Sequence, residues 1–218
     1  MQSLASPALL SPIEARILSV LIEKSRTTPD AYPLTVNSLT AGCNQKTSRE
    51  PVMSLTESEI QSALEDLRSR TLIMESYGAS GRVLRYAHNF AKVFDVPIAS
   101  IDILAILMLR GPQTASELRA NCERLRHFAD ASAVEGYLNE LAERAGGAMV
   151  IKLARQPGAR EQRWAHLLCG EPLPEKPSQA DQADGQIDTV NADLAYRVEQ
   201  LEKEVAELRA MLTILVGE

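Results

Sequence analysis

The chain has 218 residues, 45% of them apolar, a formal net charge of −6 and three cysteines. No apolar run approaches the ~20 residues of a bilayer-spanning helix, and the opening MQSLASPALLSPIEARILSVLIEK lacks a basic start and carries Glu14 and Arg16 within its apolar stretch, a poor secretory signal. Cys43, Cys122 and Cys169 are odd in number and far apart, which argues against a disulfide framework and for a reducing cytoplasmic setting.

The acidity is local. Residues 1–170 carry 19 Lys+Arg against 18 Asp+Glu, a balance of +1, whereas residues 171–218 carry 4 against 11, a balance of −7. A near-neutral body neither demands nor excludes nucleic acid, because the clustering of basic groups decides.

In chain order, SPIEARILSVLIEK puts Ile13, Ile17, Leu18, Leu21 and Ile22 at helical spacing, with Ser11 as N-cap, Pro12 in the first turn and Glu14 completing a capping box. A short extended piece around Tyr32–Leu34 precedes a second helix, TVNSLTAGC. The loop NQKTSREPV follows, seven polar residues closed by Pro51. TESEIQSALEDLRSR then opens on the capping pair Thr56 and Glu59 and turns Ile60, Ala63, Leu64 and Leu67 to one face. LIMESYGASGRVLRYAH reads as a hairpin around a glycine-containing turn.

The order then recurs. ASIDILAILMLR is a helix stopped at Gly111-Pro112; TASELRANCERL begins at Thr114 as the earlier helix begins at Thr35, with Leu118 matching Leu39. SAVEGYLNELAER has the capping pair Ser132 and Glu135 and an inward face of Val134, Tyr137, Leu138 and Leu141. MVIKLARQPGAREQRWAHLL is again two strands, joined around Pro157-Gly158. The expected fold is mainly α with small β-hairpins (α+β): winged-helix domains at residues 1–92 and 93–170, a flexible linker over 171–186 and a coiled-coil helix over 187–218.

In that last segment Asn191, Leu194, Val198, Leu201, Val205, Leu208, Leu212 and Leu215 alternate steps of three and four. Branched residues at a, Leu at d and one polar Asn at a favour a parallel homodimer. Docking of this helix back onto its own chain is the competing reading.

LIEKSRTTPDAYPLTVNSLTAGCNQKTSREPVMSLTESEIQSALEDL, LMLRGPQTASELRANCERLRHF and KLARQPGAREQRWAHLLCG closely resemble the YceH family of bacterial proteins across residues 11–170. Cys43-Asn-Gln-Lys-Thr47 together with Arg49-Glu50-Pro51-Val52 carries most of that likeness. The resemblance implies tandem winged-helix domains and brings no reaction, ligand or partner.

The residues show no catalytic constellation, so an enzyme is not expected, nor a cofactor or metal. His88, His127 and His166 fall in separate elements; His166 and Cys169, three apart, make a weak zinc pair without further ligands. The third helices are acidic, −2 over residues 56–70 and −3 over 130–144, and would be repelled from a phosphate-lined groove. The candidate contacts lie elsewhere. They are Asn44, Gln45, Lys46, Thr47 and Arg49 in the loop, Arg82 and Arg85 in the first hairpin, and Lys152, Arg155, Arg160 and Arg163 in the second. Two partners stay open: duplex DNA held by loop and wings, or a protein for which the winged fold is a scaffold. A membrane is not expected.

Overall fold

The computed structural model describes residues 9–77, 81–156 and 158–172. The linker and the heptad stripe of residues 187–218 lie outside them. Ser11 and Glu14 close their capping box at 3.2 and 2.6 Å and start α1 (Pro12–Thr27). Thr35 caps α2 (Val36–Cys43), and Thr56 with Glu59 caps α3 (Glu57–Ser69). Strands β1 (Ile73–Tyr77) and β2 (Leu84–His88) pair antiparallel, from Ile73 opposite His88 to Tyr77 opposite Leu84.

The second half follows the same order. Its first helix is α5 (Ile98–Arg110), ended by Gly111 at φ 73°, where a side chain would be strained. Then come α6 (Ala115–Cys122), α7 (Ala131–Ala142), and the antiparallel strands β3 (Val150–Lys152) and β4 (Trp164–His166). The correspondence is residue by residue. Leu34, just before the Thr35 cap, bridges to Tyr86; Gln113, just before the Thr114 cap, bridges to Trp164. Cys43 and Cys122 end α2 and α6, and both are buried. Burial pushes each thiol up to about 12, so neither is a reactive thiolate at neutral pH. His88 faces Ile73 and His166 faces Val150, each at the last position of its hairpin.

Three details differ from the sequence expectation. The cap of α7 is Asp130, whose side chain accepts from the Ala133 N–H, in place of Ser132. The helix begins at Ala131, so Asp130 holds the capping position and Ser132 already lies in the first turn. The second hairpin has only three-residue strands, and the described residues between them, 153–156 and 158–163, add no further strand. A further short helix, α4 (Phe90–Phe94), stacks its two phenylalanines at 4.2 Å between ring centroids, too short for periodicity to announce.

The two halves share one continuous apolar core, and residues 9–172 lie within a single compact unit. Its centre is α1 packed on α5. Leu18, Leu21, Ile103, Leu104 and Leu107 are all shielded from water, and burying a leucine or isoleucine contributes roughly 1.5–3 kcal/mol. Helix α1 is covered on more than the predicted stripe, since Arg16 and Ser19 are buried too. Gly42 lets α2 approach α1 closely; a methyl group there would stand 2.7 Å from Val20 Cγ1. Among the described residues no helix is long and apolar enough to cross a membrane.

Both hairpin-end histidines are half-buried, with Nδ1 shielded from solvent and lacking a hydrogen-bond partner among the described residues. Desolvation pushes each imidazole down to about 4, aided at His88 by the charge of Arg26. In the unfolded chain a histidine titrates near 6.5. The unfolded state therefore binds more protons between about pH 6.5 and pH 4, and stability falls as pH drops through that window. Urea unfolding at stepped pH should show this decline, and the double variant H88Q/H166Q should flatten it; an unchanged slope would mean that other groups cause it.

Candidate functional site

The polar loop after α2 is fastened from three directions. Asn44 behaves like a strand residue: its Nδ2 donates to the Leu55 carbonyl at 2.8 Å and its Oδ1 accepts from the Leu55 N–H at 2.7 Å, closing the loop at its base. The Glu50 N–H donates to the Leu109 carbonyl at 2.7 Å, pinning the loop to the end of α5. Arg110 Nη2 donates to Ser48 Oγ at 2.7 Å, with Ser48 in the left-handed region at φ 61°.

Arg49, expected among the contact residues, points inward. Its side chain is 0% exposed and its Nη2 lies 2.6 Å from Glu23 Oε2 on α1. The same guanidinium donates to Gln45 Oε1, the Gly42 carbonyl and the Ser48 carbonyl at 2.8, 3.2 and 2.9 Å. Burial raises the Glu23 carboxyl, but the Arg49 hydrogen bond and charge outweigh it and hold that carboxyl below its usual range. Asn44 and Arg49 thus build the loop, and Gln45 divides its role, supporting Arg49 while its residue stays exposed. Lys46 and Thr47 remain at the exposed tip.

A second buried network joins the halves. Asp102 of α5, 0% exposed, accepts from Arg26 of α1 at 3.2 Å and from Arg126, beyond α6, at 2.8 Å. Arg16 is buried as well, donating to the carbonyls of Cys43 and Pro51 at 3.2 and 2.7 Å.

Between these fastenings lies a cleft of about 390 Å³. α1 contributes Glu23, Lys24 and Thr27; the loop contributes Gln45 through Ser48; α5 contributes Ile106 and Arg110. Asn121, Arg124 and Leu125 come from the end of α6 and beyond. Four cations thus face one carboxylate, which Arg49 already engages. The sequence signal for the far wall was the basic run in RANCERLRHF, but nothing local tied it to the loop.

The hairpin cations are placed separately. Arg82 and Arg160 are exposed, and Arg155 donates to the Arg160 carbonyl between β3 and β4. Arg85 donates to the Pro33 carbonyl at 2.8 Å, and Arg163 is half-buried. Lys152 sits 3.8 Å from Glu135 and 5.2 Å from the centre of the Trp164 ring. The outer faces of α3 and α7 expose Glu57, Glu59, Glu65, Asp66, Glu135 and Glu140. Hydrogen bonds from Thr56 hold the Glu59 carboxyl below its usual range, as a cap should.

By class this is a mixed α+β protein of short helices and two small antiparallel hairpins. The chain belongs to the family described as "Protein of unknown function, DUF480", which matches residues 10–159. It is 54% identical over 204 residues to a UPF0502 protein of Acidovorax sp. (strain JS42), covering 92% of this chain and 90% of that one. Relatives of the same name in Leptothrix cholodnii and Dechloromonas aromatica are 51% and 52% identical, covering 96% and 93% of this chain and 95% and 94% of theirs. This agrees with the bacterial family to which the loop motif pointed.

Removing one member of the Glu23–Arg49 pair leaves the other poorly compensated. Arg49→Met should cost about 3 kcal/mol in urea unfolding. Because the folded Glu23 carboxyl is depressed, the pair's contribution is present above the ordinary glutamate range and lost as pH falls through the folded value. The variant should therefore lose less stability on acidification than the parent. A cost near zero would place Arg49 on the surface.

Proposed function

We propose that this is a non-enzymatic DNA-binding protein: two tandem winged-helix units that hold duplex DNA by its phosphate backbone through their hairpin loops, in a dimer joined by the C-terminal heptad stripe. Helix order, the bridge that precedes the second helix of each half, and the closing hairpins support the winged-helix reading. The observation that carries the DNA reading lies between β3 and β4, where exposed Arg155 donates to the carbonyl of exposed Arg160, and Arg160 and Arg163 line one cleft with Glu161, whose carboxylate accepts from Ser116 Oγ at 3.0 Å. Exposed carboxylates on α3 and α7 oppose entry of those helices into a groove, so the grip falls to the wings and reads little sequence.

One observation favours a protein partner instead. Met74, Tyr77 and Val83 of the first hairpin are 52, 70 and 48% exposed, an apolar group on the same hairpin as Arg82.

Fluorescence anisotropy with a duplex of arbitrary sequence, at several salt concentrations, separates the two. Three phosphate contacts from Arg82, Arg155 and Arg160 give a slope of log affinity against log salt of about −2.7. The variant R82A/R155A/R160A should bind at least about tenfold more weakly. No binding even at low salt would leave the protein-partner reading. Ending the chain at Glu171 should convert a dimer into a monomer in sedimentation velocity; an unchanged dimer would remove the heptad stripe as its cause.

A further inference from the structure

The hairpin loops leave the cleft between the 44–52 loop and α5–α6 unexplained, and its chemistry is specific. Lys24, Lys46, Arg110 and Arg124 converge on it, whereas its one carboxylate, Glu23, is already paired with Arg49 at 2.6 Å and with Lys24 at 3.3 Å. Among the described residues neither Lys46 nor Arg124 has an ion-pair partner within 4.0 Å. Residues 1–170 balance at +1, so four cations around one carboxylate exceed the average of the body that holds them. Thr27, Gln45, Thr47 and Asn121 add polar groups, and half-buried Leu125 adds an apolar side chain. A volume of about 390 Å³ falls in the lower part of the range of small-molecule sites, roughly 300–1,000 Å³.

The walls are held before anything binds. Ser48 fixes the Arg110 guanidinium, Asn44 and Leu55 close the loop base, and Glu50 is tied to Leu109. Arg110, already fastened to Ser48, loses less side-chain freedom on meeting an anion, and guanidinium presents paired N–H donors to phosphate oxygens.

We propose that this cleft binds a small phosphorylated ligand of mononucleotide size, its phosphate held by Lys46, Arg110 and Arg124 and its organic part lying along half-buried Leu125. The site is concave and apart from the hairpin loops, so it stands whether or not the wings bind DNA. The ligand would touch α1 and the loop of the first half and α5 of the second, and so would brace the junction between them.

Calorimetric titration and thermal denaturation of the full chain test this with AMP, inorganic phosphate and adenosine as probes. AMP should bind saturably in the millimolar range or tighter and raise Tm; phosphate should bind more weakly at the same site, and adenosine at least about tenfold more weakly than AMP. Lys46 and Arg124 are both exposed, so K46A/R124A should keep the Tm of the unliganded protein while losing about tenfold or more in AMP affinity. The wing variant R82A/R155A/R160A should bind AMP unchanged, even if its DNA binding is lost. The proposal is overturned if AMP and adenosine behave alike, if no probe binds, or if K46A/R124A binds AMP as the parent does. It is also overturned if a short duplex displaces AMP and the cleft variant loses the duplex, since the cleft would then be a landing site for polymer backbone.

Discussion

Everything in the described chain is arranged around α1 lying against α5. Each is the first helix of its half, and in a free-standing three-helix unit each would keep a solvent face. Here that face is covered by the other half. Helix α5 meets the demand with an almost uninterrupted apolar run, as a helix buried on most sides requires. Helix α1 meets it differently, because it carries Glu14, Arg16, Ser19 and Glu23 into partly or wholly buried positions. Each of these needs an internal partner, since an unpaired buried charge costs far more than a paired one. Arg70 reaches Glu14 at 3.0 Å, backbone carbonyls take Arg16, and Arg49 takes Glu23. The loop after α2 supplies that last partner through Arg49, while Gln45 to Ser48 and Glu50 stay exposed.

What could be read from the residues alone follows from how far each signal reaches. Caps such as Ser11–Glu14 and Thr56–Glu59 span three residues, and the apolar face of α3 spans about two turns, so both were legible. So was the repeat, because Thr35 and Thr114 stand at the same point of two similar segments. The partners of Arg49 and Arg26 lie 26 and 76 residues away, and no local pattern identifies them. For the same reason the loop reads from its composition as a contact surface throughout, although Arg49 faces inward. The cleft was invisible because its two walls come from different halves. Lys46 was among the expected contact residues, but Lys24, Arg110 and Arg124 gained meaning only once α6 had been placed opposite the loop.

The distribution of charge has a consistent logic. Carboxylates on α3 and α7 sit where helix starts favour them and where they repel phosphate. Cations that would otherwise lie near the core are neutralised: Arg26 and Arg126 by Asp102, Arg49 by Glu23. Exposed cations at the loop tip (Lys46), beyond α6 (Arg124) and on the hairpins (Arg82 and Arg160) add to these. Much of the exposed positive charge is thus offered by the connecting segments, where side chains are positioned by the scaffold beneath them.

The matched cysteines have a consequence for how the molecule opens. Cys43 and Cys122 occupy the same place in the two halves, each sealed within the common core, while Cys169 is partly accessible. A thiol reagent can modify the sealed pair only during excursions that bring them into contact with solvent. If the helix pairing at the centre makes the halves breathe as one, both sulfurs are labelled with a single time constant; two time constants would reveal halves that loosen independently.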